Sequence, residues 1–193
     1  MGASSIWGLV GYLLGSIPFG LLLTLAIGID IRKVGSGNIG TTNVLRTGNK
    51  GLAAATLLLD AGKGAVAVLL AQHFGGGQAA IIAGFCAFMG HCFPIWLKFH
   101  GGKGVATLLG IALAANPMAG ITALLTWSTV ALLTRYSSLA GMASAVAAAA
   151  AMWAISEGQW GRALLVMAII LIAKHHENLT RLFAGTESRI KLK

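Results

Sequence analysis

Charged side chains are scarce in this chain of 193 residues: 5 Asp and Glu against 14 Lys and Arg, together 10%. A soluble domain carries about 25%, so a water-surrounded globule is excluded. The 5 acidic residues are scattered and no H-E-x-x-H run exists, so no metal site is expected. Cysteine is limited to Cys86 and Cys92, both inside one apolar run. Six positions apart on a helix they face different directions and match no metal spacing, which makes them small core residues. A Walker phosphate loop is missing too, because Lys103 is followed by Gly104 rather than Ser or Thr. The opening Met1–Ile29 has no charge, lacks a basic leading region and is too long for an ordinary cleaved signal peptide.

What the chain does have is long uncharged stretches: Met1–Ile29, Gly64–Leu97, Gly104–Thr134, Tyr136–Ser156, and Gly158 to Ala173 interrupted only by Arg162. Runs of about 18 or more apolar residues are transmembrane candidates. Helices are expected at 4–28, 51–73, 79–97, 104–115, 118–134, 138–155 and 160–174, with breaks at Gly75-Gly76-Gly77, His100-Gly101-Gly102, Asn116-Pro117 and Tyr136-Ser137-Ser138. The fold class expected is an all-α polytopic membrane protein of about seven transmembrane helices, forming a single integral-membrane domain over 1–193. The break at Asn116-Pro117 decides the count. With it, Lys33, Arg46, Lys50, Lys98, Lys103, Arg135, Lys174, Arg181 and Arg189 all fall on the cytoplasmic side, and only Arg162 lies outside. The N-terminus is then outside and the C-terminus cytoplasmic. The net charge of +9 sits at the ends of apolar runs, where orientation and lipid headgroups account for it, so nucleic acid is not an expected partner.

This topology gathers four polar islands on one face: 30–50, 98–103, 135–138 and 174–193. The first contains Gly35–Arg46, GSGNIGTTNVLR, whose composition suits an anion cradle: glycines to turn backbone N–H groups inward, neutral hydrogen-bonding side chains, and one fixed positive charge. Gly35, Gly37 and Gly40 formally spell G-x-G-x-x-G, but a membrane span precedes them where a dinucleotide fold needs a strand. The second island, His100-Gly101-Gly102-Lys103-Gly104, opens a helix, where glycine N–H groups and an ammonium suit a phosphate. Asp60 and Lys63 share a helical face inside the second span and are expected to form a supporting ion pair. In the last island His175 and Asn178 share a face: an imidazole can act as acid or base and an amide can donate to an oxyanion. His176 is expected to face solvent or headgroups, and His73 and His91 to be packed or interfacial.

GYLLGSIPFG (11–20), GSGNIGTTNVLR (35–46), LDAGKGAVAV (59–68), HCFPIWLKFHGGKGVAT (91–107) and HHENLTRLFAGTESRI (175–190), in order over nearly the whole chain, resemble the PlsY family of bacterial acyl-phosphate:glycerol-3-phosphate acyltransferases. The resemblance implies transfer of a long-chain acyl group from acyl-phosphate to the 1-hydroxyl of sn-glycerol 3-phosphate. The products would be lysophosphatidic acid and phosphate, made without a cofactor as a step of phospholipid synthesis in the bacterial inner membrane. It also implies Ser36, Arg46, Lys103, His175 and Asn178 as catalytic residues. Gly37, Asn38, Gly40, Thr41, Asn43, Gly101, Gly102, Gly104 and Ser138 are implied at the substrates, with Ser137 competing with Ser138. Glu187 joins Asp60 and Lys63 as structural support. The base is left open between His175 and a substrate phosphate oxygen. The lipid bilayer is an implied partner, with handover from the enzyme that forms acyl-phosphate and to the next acyltransferase. The H-x-x-x-x-D signature of other glycerolipid acyltransferases is absent: no histidine has Asp five positions on. A small-anion or phosphoester transporter is the competing reading, although no internal repeat supports it.

Overall fold

Residues 3–155 and 158–190 are described by the structure, a computed structural model. Every regular element among them is helical: α1 (Ala3–Gly15), α2 (Phe19–Leu25), α3 (Thr41–Leu45), α4 (Lys50–Cys92), α5 (Val105–Ala115), α6 (Pro117–Thr134), α7 (Ser137–Ile155), α8 (Gln159–Lys174) and α9 (His176–Phe183), with 3-10 turns at Ile31–Lys33 and Ile95–Leu97. Four stretches are long and apolar enough to cross a membrane, namely Ser5–Leu25, Lys50–Leu97, Pro117–Thr134 and Ser137–Ile155, and the bent pair α8–α9 passes the same test jointly.

The expected helix over 4–28 is interrupted at Ser16–Pro18, because Pro18 has no N–H to continue the ladder. An interrupted helix leaves carbonyls that lipid cannot satisfy. Here Lys63 Nζ donates to the Ile17 carbonyl at 2.7 Å and Trp96 Nε1 to the Ser16 carbonyl at 2.7 Å. Lys63 simultaneously pairs with Asp60 at 2.7 Å, both side chains buried. The intramembrane ion pair therefore holds the α1–α2 break against α4. His91 completes the cluster, with its Nδ1 3.7 Å from Asp60 Oδ1.

No loop occupies 74–78. Helical geometry fails only at Gly76, whose φ of 80° is open to glycine. At that point α4 doubles back on itself, since the Gly84 backbone lies against Val68 and His91 lies against Asp60. The expected helix over 79–97 ends at Cys92, and a 3-10 turn follows. The break at Asn116-Pro117 is present: Asn116 caps α6 by accepting from the Met118 N–H at 2.9 Å, and Pro117 takes the first helical position. It leaves α5 with 11 residues, roughly 16 Å of helix.

Small residues let the helices approach closely, as in other membrane bundles. A Cβ added at Gly110 of α5 would stand 1.9 Å from the Ala61 carbonyl of α4, so helix backbones touch there. The main core runs through α4, α5, α7 and α8, around Phe88, Leu108, Ile111, Met152, Leu164, Met167 and Leu171. Away from the polar islands Trp7 stacks on Phe74, with ring centroids 6.3 Å apart.

Candidate active site

The four polar islands meet at one end of the bundle. Lys103 donates to Asn178 Oδ1, Ser138 Oγ donates to Glu187 Oε1 at 2.7 Å, Arg46 Nη2 donates to Ser188 Oγ, and the Ile190 N–H donates to the Arg135 carbonyl at 2.7 Å. A cavity of about 680 Å³ opens beside them, lined from three of the four islands and reached by neither Arg46 nor the 135–138 turn. Its lining mixes the polar side chains of Ser36, Asn38, His100, Lys103, Lys174 and His176 with the apolar ones of Phe93, Ile169, Ile170 and Ala173.

The first loop closes on itself. Asn43, buried in α3, donates its amide to the carbonyls of Ile31 (3.1 Å), Val34 (2.9 Å) and Asn38 (2.8 Å), and its Oδ1 accepts from the Ser36 N–H at 3.1 Å. The Gly37 N–H donates to the Val34 carbonyl at 2.9 Å and the Gly40 N–H to Asn38 Oδ1 at 2.8 Å. Part of the expected cradle of backbone donors is therefore used within the loop: the N–H groups of Ser36, Gly37 and Gly40 are spent there. Ser36 and Asn38 line the cavity, and the Ser36 hydroxyl and the Asn38 amide nitrogen are among the donors not used within the loop. Asn43 and Gly40 act as the frame, and Thr41 Oγ1 is buried without a hydrogen-bond partner.

The second loop follows the same rule. The Gly101 N–H donates to the Cys92 carbonyl at 3.2 Å and the Gly102 N–H to the His91 carbonyl at 3.0 Å, folding the loop back onto the end of α4. The N–H groups of Gly101 and Gly102, expected to meet phosphate, are thus spent on structure. Lys103 remains, half-buried, with its ammonium at the cavity and on Asn178. Burial, followed by the nearby positive charge of Arg181, holds Lys103 below the ordinary lysine range.

Beyond Gly185 (φ 70°) the tail turns back across the site. Glu187 accepts from Asn178 Nδ2 (2.6 Å), Ser138 Oγ (2.7 Å) and Arg181 Nε (2.6 Å). Burial alone would raise its carboxyl, but these donors and the Arg181 charge together hold it below the ordinary value. Ser138 is committed to Glu187 and lies off the cavity wall. Asn178 is a link, its oxygen on Lys103 and its nitrogen on Glu187, where an amide directed at an oxyanion was expected. His175 is buried at the corner between α8 and α9, its Nδ1 2.8 Å from the Leu171 carbonyl. That contact needs the proton on Nδ1 and leaves Nε2 as the acceptor. No group of three or more His, Cys, Asp or Glu side chains is placed to hold a metal among the described residues.

The family model described as glycerol-3-phosphate acyltransferase matches residues 5–185. A glycerol-3-phosphate acyltransferase of Agrobacterium fabrum (strain C58) is 53% identical over 183 residues, covering 94% of this chain and 89% of that protein. One of Ruegeria sp. (strain TM1040) is 56% identical over 187 residues, covering 95% and 92%. The chain belongs to the glycerol-3-phosphate acyltransferase family. Among solved structures, the integral membrane glycerol 3-phosphate acyltransferase PlsY (YgiH) in its glycerol 3-phosphate form superposes with a TM-score of 0.94 at 34% identity, covering 98% of this chain and 96% of that one. Its lysophosphatidic acid form gives 0.92 at 33% identity, with the same coverage. This glycerol-3-phosphate acyltransferase family member is an all-helical integral membrane protein.

Several residues at this acyltransferase site were not assigned to it by sequence reasoning. Lys174 lines the cavity with its ammonium 4.8 Å from the centre of the Phe93 ring and 3.3 Å from the Cys92 carbonyl. His176, exposed as expected, and Glu177 line it too. The available signal was local: all three adjoin His175 in a polar run that ends a long apolar helix.

Proposed function

We propose that the chain transfers a long-chain acyl group from acyl-phosphate to the 1-hydroxyl of sn-glycerol 3-phosphate, releasing phosphate and 1-acyl-sn-glycerol 3-phosphate. The observation that carries this reading is the mixed lining of the cavity. It presents Ser36, Asn38, Lys103 and Lys174 together with Phe93, Ile169 and Ile170, which suits phosphate groups beside an acyl chain. In this reading Ser36, Asn38 and Arg46 serve the acyl-phosphate, and Lys103 serves glycerol 3-phosphate and the departing phosphate. The loop residues Gly37, Gly40, Thr41, Asn43, Gly101, Gly102 and Gly104 shape the two rims. Asn178, Glu187 and Ser138 hold Lys103 in place, and Asp60 with Lys63 holds the helices beneath.

The step is a single displacement. The 1-hydroxyl oxygen forms a bond to the acyl carbon, the bond from that carbon to the phosphate oxygen breaks, and both electrons leave with phosphate. An acyl-phosphate is already an activated mixed anhydride, so no acyl-enzyme is needed. The hydroxyl proton goes to a phosphate oxygen, an acceptor already in the cavity, while His175 supports the α8–α9 corner from behind. Seven membrane-embedded segments serve this chemistry: α1 with α2, the two limbs of α4, and α5, α6, α7 and α8. The N-terminus faces outward, and the site faces the cytoplasm of a bacterial inner membrane. Handover from an acyl-phosphate-forming enzyme and to a second acyltransferase fits that placement.

Purified protein in detergent, given palmitoyl-phosphate and glycerol 3-phosphate, is expected to release phosphate and form lysophosphatidic acid. A folded sample that releases none sinks the reading, and phosphoester transport into vesicles without acyl transfer would favour a porter. A pH dependence follows from the burial of Lys103. Its protonated form binds a dianion, so the KM for glycerol 3-phosphate is expected to climb as pH rises through a value below the roughly 10.4 of an ordinary lysine. Lys103→Arg, always charged, is expected to flatten that rise. Measuring the KM of both forms from neutral to alkaline pH checks it.

A further inference from the structure

We infer that Ser188 is a positioning residue for Arg46, and that the Glu187-Ser188 pair in the tail sets the two cations of the site relative to each other. This rests on the reading that Arg46 serves the acyl-phosphate. Arg46 follows the five-residue α3 and is exposed, so its long side chain would otherwise sample many rotamers. Two contacts restrict it. Gly35, at φ 55°, lies against it so closely that an added Cβ would stand 2.9 Å from Cδ and 3.1 Å from Nη1 of Arg46. From the tail, Ser188 Oγ accepts from Nη2.

The chemistry of the acceptor matters as much as its place. Arg32 and Arg181 are both paired with carboxylates, on Asp30 at 2.8 Å and on Glu187 at 2.6 Å. Arg46 forms no such pair among the described residues, and neither does Lys103. Each is held by a neutral oxygen: the Ser188 hydroxyl for Arg46 and the Asn178 amide oxygen for Lys103. A neutral acceptor fixes direction and leaves the full positive charge for an incoming anion, whereas a carboxylate would cancel much of it. The tail is fixed enough to do this. Glu187 is held by three donors, the Ile190 N–H is held by Arg135, and the Arg189 guanidinium lies 5.3 Å from the Tyr136 ring centre. Ser188 sits between these anchors.

The test is steady-state acyl transfer by the purified full chain in detergent, with palmitoyl-phosphate and glycerol 3-phosphate varied separately. Ser188→Ala is expected to raise the KM for palmitoyl-phosphate about five- to tenfold, the loss of one charged hydrogen bond, and that for glycerol 3-phosphate by less than about twofold. Ser188→Thr keeps the hydroxyl and is expected to restore the parent value. Ser188→Asp keeps an acceptor but neutralises Arg46, and is expected to be worse than alanine. In an Arg46→Lys background the effect of Ser188→Ala is expected to vanish, because the two act as one unit. Equal shifts in both KM values, failure of threonine to rescue, or full additivity with Arg46→Lys each overturn the inference. If Arg46→Lys alone leaves the palmitoyl-phosphate KM unchanged, the assignment of Arg46 to acyl-phosphate fails first. If that KM responds to Arg46→Lys and not to Ser188→Ala, only the positioning role fails.

Discussion

Replacing Lys103 with alanine is expected to lower kcat/KM by about 10²–10³, the cost of losing one aligned group that stabilises developing charge. The ammonium stands at the cavity wall, half-buried, and its contact is the uncharged Asn178 oxygen, so its charge is available to phosphate. Desolvation makes that charge count for more than it would in water. The fold is expected to survive, because no ion pair of Lys103 is broken and the loop backbone is tied to α4 through Gly101 and Gly102. Phosphate release measured beside the thermal unfolding midpoint separates the two effects. A variant that kept more than roughly a tenth of the parent rate would remove Lys103 from the chemistry altogether.

The second large effect is expected at Glu187, where activity and stability fall together. Alanine there leaves Ser138, Asn178 and Arg181 without their common acceptor, and it releases the tail that carries Ser188. Breaking a buried charged network of this kind costs about 3–5 kcal/mol, and the partial exposure of Arg181 places this one nearer about 2–3 kcal/mol. The thermal midpoint in detergent is expected to drop by several degrees, and Glu187→Gln, which keeps one acceptor oxygen, is expected to lose less. The pH dependence has a definite sign. A carboxyl whose folded value is depressed contributes its stability above its unfolded value of about 4.3, and that contribution disappears as pH falls through the lower folded value. Acid unfolding curves of parent and Glu187→Gln are therefore expected to converge at low pH. Curves that stay parallel would show that Glu187 does not hold the tail as described.

The elements easiest to read from the sequence were those set by local rules. The break at Asn116-Pro117 combines a capping side chain with an imino acid, and both act within three residues. The gathering of the polar islands at one end followed from charge bias alone. What could not be read was who spends which hydrogen bond. A glycine-rich polar loop has the composition of an anion cradle whether its N–H groups face a ligand or its own carbonyls, and only the folded backbone showed that Ser36, Gly37 and Gly40 face inward to Asn43, Val34 and Asn38. Likewise Ser188 meets Arg46 across 142 positions of sequence, beyond the reach of any periodicity. The interruption at Ser16–Pro18 had a local signal in Pro18, but that Lys63 and Trp96 satisfy its carbonyls, from 46 and 80 positions away, did not.

That inward spending of backbone donors has a further consequence. A loop whose shape depends on its ligand must be reassembled at every turnover, and part of each binding event goes into ordering it. The rims of this cavity are tied by the chain's own hydrogen bonds, since Asn43 closes one and the end of α4 closes the other. The same frame can therefore meet a monoester, a mixed anhydride and inorganic phosphate in succession, one after another, without the chain relearning its fold between them.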